Sequence, residues 1–157
     1  MSNRLVVNGW ELFNFILFAE ILNKLEQDVT RLKQTLEASE FKRHPKAKLL
    51  ASVFKIITSV VPRDPNDKQY QLGNTLGSKN RSFRRVKKSS LPPRYRLFFK
   101  FSSEYSSIIY IWINDDSCLR KDGDKTDVYN VFKKMIHQGQ VPKSYQELLK
   151  QASPVVN

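Results

Sequence analysis

Residues 94–113 read RYRLFFKFSSEYSSIIYIWI, and this stretch decides the fold. Its first part predicts a strand in which Arg94, Arg96 and Lys100 share one face while apolar side chains share the other. After a polar hairpin turn, a further strand is predicted over residues 107–113, and its residues 108–113 are apolar on both faces, which is typical of a central strand that is covered on both sides. The stretch therefore predicts an antiparallel sheet with helices packed on it.

A further strand is predicted just before this pair, over residues 82–88. The loop at residues 89–93 separates the two strands, because its prolines stop both strand pairing and helix formation. If Val86 joins the core, Arg85 and Lys87 stand beside the two arginines of the following strand. A cluster of cations on one sheet face is the expected result.

The charge of the chain is concentrated around these strands. Lys68 to Ser103 contains ten Lys or Arg residues and no Asp or Glu, in a chain whose formal net charge is +12. Like charges on neighbouring strands destabilise a sheet, and no acid in the segment offsets them. A solvated basic face is the alternative, but the pattern favours a polyanionic partner, with RNA or DNA first. Lys79, Arg84 and Arg94 are the predicted RNA-binding residues of this segment.

Amphipathic helices flank the predicted sheet. Apolar residues recur at steps of four and three through residues 18–36, and a second stripe follows Pro45 through residues 47–61. The short connection between them predicts an antiparallel helical hairpin. Near the C-terminus, Thr126 or Asp127 is suited to cap a further helix, and a capping box predicts a short last one.

The predicted fold is a single α+β domain over residues 1–157, a length that suits one hydrophobic core. An N-terminal antiparallel helical hairpin at about 10–61 packs on a small, mainly antiparallel twisted sheet at about 68–114, and C-terminal helices occupy about 126–152. The single cysteine, Cys118, excludes an internal disulfide and is expected to be buried. No apolar run is long enough to span a bilayer and no leader is visible, so a cytoplasmic location is expected.

The residues suited to chemistry are Lys, Arg and Tyr. His44 and His137 lie on or beside predicted helices, and no spacing typical of metal ligands occurs, so we expect neither a metal nor another cofactor. RNA carries its own nucleophile in the 2′-hydroxyl group, and cleavage then needs in-line geometry, stabilised phosphorane charge and proton transfer. Arginine supplies the first two, and a lysine among other cations has a lowered pKa that suits a base.

Several motifs follow one another in an order that is similar to one protein family. They are Leu76–Ser78, Arg85–Lys87, Arg94–Phe99, Trp112–Asp115, Leu119–Arg120 and Lys125–Tyr129. With the helical hairpin before them, they resemble the YhaV toxins, which belong to the RelE-like superfamily of bacterial type II toxin–antitoxin ribonucleases. The resemblance runs from Val7–Trp10 to about Leu149.

The resemblance implies a RelE-like toxin, a metal-independent endoribonuclease that cleaves messenger RNA and inhibits translation. It also implies a PrlF-type antitoxin with a DNA-binding domain as partner, so that DNA is reached only through the toxin–antitoxin complex. By position, the implied catalytic residues are Arg85, Lys87, Arg96, Lys125 and Tyr129. Arg120 is an implied RNA-binding residue and the alternative to Lys125.

The implied roles differ between these residues. Lys87 is the base or a group that assists it, Tyr129 orients the 2′-hydroxyl, and Arg85 and Arg96 stabilise the phosphorane. Either Lys125 or Arg120 serves the leaving group. Two other functions stay open at this point, a non-catalytic RNA-binding or ribosome-associated module and an interaction protein that uses its helical seam. The cleavage sequence, the dependence on ribosomes and the oligomeric state also stay open.

Overall fold

The computed structural model of the protein describes residues 4–88 and 91–156, and it consists of one mixed β-sheet with helices on both faces. The strands are β1 (Val6–Val7), β2 (Trp10–Phe15), β3 (Arg84–Val86), β4 (Leu97–Ser102), β5 (Ser107–Ile113) and β6 (Ala152–Pro154). The helices are α1 (Ile16–Thr35), α2 (Ala38–Arg43), α3 (Pro45–Lys55), α4 (Val61–Arg63), α5 (Val128–His137) and α6 (Tyr145–Lys150). The predicted α+β class is confirmed.

The sheet has the strand order β1-β2-β5-β4-β3, and β6 also pairs with β2. β2 and β5 are parallel, whereas the other pairings between these strands are antiparallel. All seven residues of β5 are buried, which confirms the central strand predicted from its apolar faces. The β4–β5 hairpin is also confirmed, with an irregularity between Phe98 and Phe99.

The N-terminal boundary of the predicted hairpin is wrong. Residues 10–15 form β2, and the first long helix begins only at Ile16. Leu12, Phe13 and Phe15 are all buried because β2 lies beside β5 under helices on both faces. A short, mostly apolar run is compatible with a buried helix as well as with a strand, so the periodicity of residues 10–15 did not distinguish the two.

The sheet boundaries also differ from the prediction. The helical elements within residues 68–83 are two short 3₁₀ turns, Lys68–Tyr70 and Ser78–Asn80. The first strand of this region, β3, begins at Arg84. β4 starts at Leu97 rather than at residue 94, after the proline loop. At the C-terminus, Ala152–Pro154 pairs with β2 instead of extending the last helix. In the predicted loop at residues 89–93, Ser89 and Ser90 lie outside the described residues.

The α1 and α3 helices run in opposite directions against one another. Lys46, in the first turn of α3, forms a 2.9 Å ion pair with Asp28 in the second half of α1, while Val53 packs in the same core cluster as Leu22. The predicted stripe on α3 is partly wrong, since Phe54 is exposed. Among the helices that the structure describes, none is long and apolar enough to cross a membrane.

Two hydrophobic layers cover the sheet. One joins α1 and α3 to a face that includes Leu97 and Phe99, and the other joins α5 and α6 to the opposite face, which includes Phe98. Cys118 is buried in this second layer, as predicted. Because both faces are covered, side chains of the basic segment meet solvent at the ends and edges of the sheet rather than across an open face.

Candidate active site

Two arginines and a tyrosine meet at the end of the sheet where β3 stops and β4 begins. The Nε groups of Arg85 and Arg96 donate hydrogen bonds to the hydroxyl oxygen of Tyr129, at 3.0 and 2.9 Å. Tyr129 is 44 residues from Arg85 and 33 from Arg96 along the chain, so the fold creates this convergence. We call these three residues the Arg–Tyr cluster.

Arg85 is positioned by the β3–β4 pairing. It is paired with Phe98, so its side chain lies on the sheet face that α5 covers. Its Nη1 group donates to the backbone oxygens of Gln69 and Gln71, at 3.2 and 2.9 Å. The guanidinium is thus held between the Lys68–Tyr70 turn and Tyr129.

Asn114 fixes the backbone that leads to Arg96. The side chain of Asn114 is buried, and its Oδ1 accepts a 2.8 Å hydrogen bond from the backbone nitrogen of Arg96. Its Nδ2 donates to the backbone oxygens of Arg94 and Cys118 at 3.1 and 2.9 Å. Arg94 has a φ of 73°, a left-handed conformation that is costly for a residue with a side chain. The buried amide therefore holds a strained turn immediately before Arg96.

Asp127 positions Tyr129 by capping α5. One carboxylate oxygen accepts the backbone N–H of Tyr129 at 3.1 Å, which is the N-cap bond predicted for this residue. The other oxygen accepts from Arg120 Nη1 at 2.7 Å and from the backbone nitrogen of Lys121. The Tyr129 ring packs edge-on against Phe98, with centroids 5.9 Å apart. Asp127 thus joins the start of α5 to the loop that carries Arg120.

The structure brings Arg120, rather than Lys125, to the cluster. The guanidinium carbon of Arg120 lies 5.1 Å from the centre of the Tyr129 ring. The hydrogen bond to Asp127 raises the already high pKa of Arg120, so this side chain stays cationic. Lys125 is exposed in the loop before α5, and within the described ranges its side chain makes no hydrogen bond or ion pair.

Three other predicted basic residues, Lys79, Lys87 and Arg94, are exposed. Lys87 is exposed and follows Val86, the last β3 residue paired with β4. Arg94 is exposed two residues before Arg96, and Lys79 is exposed in the Ser78–Asn80 turn. The side chains of all three residues are therefore accessible to solvent.

Two other basic residues of β3 and β4, Arg84 and Lys100, are not part of the Arg–Tyr cluster. Arg84 lies on the opposite face, where its guanidinium carbon is 5.5 Å from the Phe101 ring centre and burial lowers its pKa. Lys100 is buried, with its ammonium 4.3 Å from the Phe83 ring centre and hydrogen-bonded to the backbone oxygen of Lys143. The expectation that Lys100 shares an exposed cationic face with Arg96 is wrong, because α5 and α6 cover that face.

The supporting role of Asn114 and the pairing of Asp127 with Arg120 were not predicted from the sequence. A signal for Asn114 was present, because it is a polar residue directly after an apolar strand. Asp127 was predicted as a cap, but the spacing within the loop gave no sign that its second oxygen reaches Arg120. Such a contact depends on how the loop folds back, which periodicity does not describe.

The cluster has the chemical groups needed to hold a phosphate. The hydroxyl oxygen of Tyr129 accepts both arginine hydrogen bonds, so its own proton is free to be donated to a substrate. In the part of the chain that is described, the Nη2 groups of both arginines have no hydrogen-bond partner and remain available to an anion. Among the same residues, no group of three His, Cys, Asp or Glu side chains is arranged to hold a metal ion.

Comparison with known proteins identifies the family. The sequence model of the YhaV toxins, described as toxins with endonuclease activity of toxin–antitoxin systems, matches residues 12–153. The chain belongs to the YhaV toxin family. The ribonuclease toxin YhaV of Escherichia coli strain K12 is 38% identical over 146 residues, which cover 92% of this chain and 93% of that protein. The toxin YhaV of Escherichia coli O157:H7 gives the same identity and coverage.

Family membership confirms the resemblance drawn from the ordered motifs. The protein is therefore a toxin with endonuclease activity of a toxin–antitoxin system. No solved structure matches the chain at a significant level. The RelE-like fold stays a prediction, and so do the roles of the individual residues.

Proposed function

We propose that this protein is a type II toxin and a metal-independent endoribonuclease that cleaves messenger RNA through attack of the ribose 2′-hydroxyl. The observation that carries the proposal is the convergence of Arg85, Arg96 and Tyr129 within direct hydrogen-bond distance. RNA as the substrate is supported by the 38% identical relative, which is named a ribonuclease toxin. A non-catalytic module that only binds RNA phosphates needs the two arginines, but it does not need a tyrosine hydroxyl between them.

In this reaction the 2′-oxygen forms a bond to phosphorus and the 5′-oxygen of the next nucleotide leaves. The proton of the 2′-hydroxyl goes to a base, and the leaving oxygen receives a proton, so the products are a 2′,3′-cyclic phosphate and a 5′-hydroxyl. Negative charge on the phosphorane oxygens is stabilised by Arg85 and Arg96, whose guanidinium groups are preorganised by backbone carbonyls.

The remaining roles follow from position. Tyr129, whose proton is free, orients the 2′-hydroxyl and the adjacent phosphate. Lys87, next to the open end of the β3–β4 ladder, is the base or assists it. Arg120, held against the Tyr129 ring, is favoured over Lys125 as the group that serves the leaving oxygen.

The partner of the toxin is proposed to be a PrlF-type antitoxin that carries the DNA-binding domain of the complex. A toxin of a toxin–antitoxin system requires a neutralising partner, and the cationic cluster offers it an anion-binding surface. Ribosome association and a cytoplasmic location stay predictions from the sequence.

Incubation of the purified chain with single-stranded RNA in EDTA, with and without ribosomes, tests the proposal. We expect cleavage that leaves 2′,3′-cyclic phosphate ends, and loss of this cleavage in Arg96→Ala and Tyr129→Phe. RNA binding without cleavage under both conditions would instead identify a non-catalytic module. Cleavage that appears only when Mg²⁺ is restored would refute the metal-independent mechanism.

A further inference from the structure

A second cationic cavity lies along α5, away from the Arg–Tyr cluster. Its volume is about 350 Å³, and its polar lining consists chiefly of Asn80, Asn130, Lys133, Lys134, His137 and Lys143. The three lysines are exposed, and no carboxylate of the described residues is part of the lining. We call this cavity the α5 pocket. Its concentration of cations without internal acids is suited to an anionic ligand.

Asn80, which lines the α5 pocket, has one unpartnered polar atom. The residue is 9% exposed, and its Nδ2 donates a 2.8 Å hydrogen bond to the backbone oxygen of Leu76, which fixes the orientation of the amide. Its Oδ1 is buried and has no hydrogen-bond partner among the described residues. Buried acceptors are normally satisfied, so an unpartnered one in the lining of a cavity points to a missing donor.

Lys133 lies beside the turn that carries Asn80. Gly77, at the turn before Asn80, has a φ of 92°, and Lys133 lies against it with Cε 4.0 Å from the position that a Cβ on Gly77 would take. A lysine side chain moves readily because it rotates about several bonds. A ligand bound by Lys133 would therefore lie beside the turn that carries Asn80.

The α5 pocket lies on the same helix as Tyr129. Lys133 and His137 are four and eight residues further along α5, which corresponds to about 6 and 12 Å of helix rise. A strand of RNA that leaves the Arg–Tyr cluster along α5 reaches the α5 pocket within a few nucleotides. The two sites are therefore spaced for one continuous single strand.

We propose that the α5 pocket is a second nucleotide-binding subsite for the RNA strand. Lys133, Lys134 and Lys143 bind a phosphate of a nucleotide outside the scissile bond. Asn80 Oδ1 accepts a hydrogen bond from that nucleotide, either from the ribose 2′-hydroxyl or from a base N–H group. The inference rests on the proposed function, because it extends the same RNA substrate beyond the cluster.

The phosphate contacts are tested by removing charge at the surface. The double variant Lys133→Gln/Lys143→Gln is compared with Lys42→Gln/Lys48→Gln, which removes the same charge from exposed positions on α2 and α3. Binding of a ten-nucleotide RNA is measured as a function of salt, in a Tyr129→Phe background that prevents cleavage. We expect the salt slope of the pocket variant to fall by up to about 0.7, since the three lysines bind one phosphate and each phosphate contact on a single strand contributes about 0.7. Equal affinity and slope in the two double variants would overturn the subsite.

The role of Asn80 is tested with Asn80→Ala on RNA and on DNA of the same sequence. A loss of roughly two- to tenfold in affinity for RNA alone would assign the ribose hydroxyl as the donor, and the same loss on both would assign a base N–H. No loss on either would refute the contact to Asn80. A thermal unfolding curve of the variant shows that the comparison is made on folded protein, and the lysine pair tests the pocket independently.

Failure of the subsite and failure of the proposed function are distinguishable. If the parent cleaves RNA in EDTA while the lysine pair behaves like its control, only the subsite is refuted. If the lysine pair loses salt-dependent binding while the parent never cleaves, the α5 pocket stands as an RNA site and the ribonuclease mechanism fails.

Discussion

Replacement of Tyr129 by phenylalanine removes one oxygen atom from the centre of the cluster. The ring and its edge-on contact with Phe98, at 5.9 Å, are retained. The Nε groups of Arg85 and Arg96 both lose their acceptor. Because both arginines are only half-buried, water replaces part of what is lost, and we expect a cost of about 1 kcal/mol in unfolding free energy, or roughly 2–4 °C in Tm.

The effect on RNA cleavage should be far larger than the effect on stability. A positioned proton-transfer group contributes roughly 10²–10⁴-fold to a rate, and we expect a single-turnover rate in EDTA that is lower by about this factor. The affinity for RNA should change little, because both arginines keep their charge. The assay therefore measures the cleavage rate at saturating enzyme and the dissociation constant separately.

Tyr105→Phe is a matched control for this experiment. Tyr105 is 42% exposed, and its hydroxyl accepts a 3.0 Å hydrogen bond from Gln146, away from the cluster. The control should cleave RNA at the parent rate. If Tyr129→Phe cleaves within about twofold of that rate, the assignment of proton positioning to Tyr129 is wrong.

Three further predictions concern the surroundings of the cluster and the buried lysine. Arg120→Ala should lower the single-turnover cleavage rate by about 10²-fold, while Lys125→Ala leaves it unchanged. If Lys125→Ala lowered the rate and Arg120→Ala did not, Lys125 would be the residue that serves the leaving group. Asp127→Ala should lower the unfolding free energy in urea by roughly 2 kcal/mol, because it removes a helix cap and the closer of the two carboxylates paired with Arg120; a change below about 0.5 kcal/mol would contradict this role. Burial lowers the pKa of Lys100 from 10.5 to about 8, so the unfolded chain binds more protons between these values and stability rises with pH across that window. Urea unfolding between pH 7 and 10 should therefore show the parent gaining stability relative to Lys100→Met as the pH rises. If the difference in unfolding free energy between the two proteins stayed constant, the lowered pKa of Lys100 would be refuted.

The parts of the fold that were predictable are those with one clear periodicity. The apolar run of β5 and the alternating residues of β4 allowed the central hairpin to be predicted, and the seam of α1 was equally clear from Phe18 onward. β2 was not predicted because Leu12, Phe13 and Phe15 are buried on both faces of the sheet, so that apolar and polar residues do not alternate regularly along it. Its parallel pairing with β5 joins residues about a hundred positions apart, which no local pattern describes.

The candidate site was predictable where strand geometry and family motifs agreed. Alternation placed Arg85 and Arg96 on one face, and the resemblance added Tyr129, and the structure brings these three together. The choice between Arg120 and Lys125 was not predictable, because it depends on how the loop after β5 folds back. That path is set by Asp127 and Asn114, which act through backbone groups that the sequence does not reveal.

The acid-free character of the basic segment explains which cations are available to a ligand. Arg85 and Arg96 are oriented by backbone carbonyls and by a phenol oxygen, which accept hydrogen bonds from their Nε and Nη1 groups without neutralising their charge. Arg120, by contrast, is paired with the carboxylate of Asp127. A phosphate that enters the cluster therefore meets two guanidinium charges that no carboxylate neutralises. The charge of Arg120, by contrast, is largely offset by the carboxylate of Asp127. In the proposed reaction we therefore expect Arg85 and Arg96 to neutralise the phosphate charge and Arg120 to act by orienting its hydrogen-bond donors.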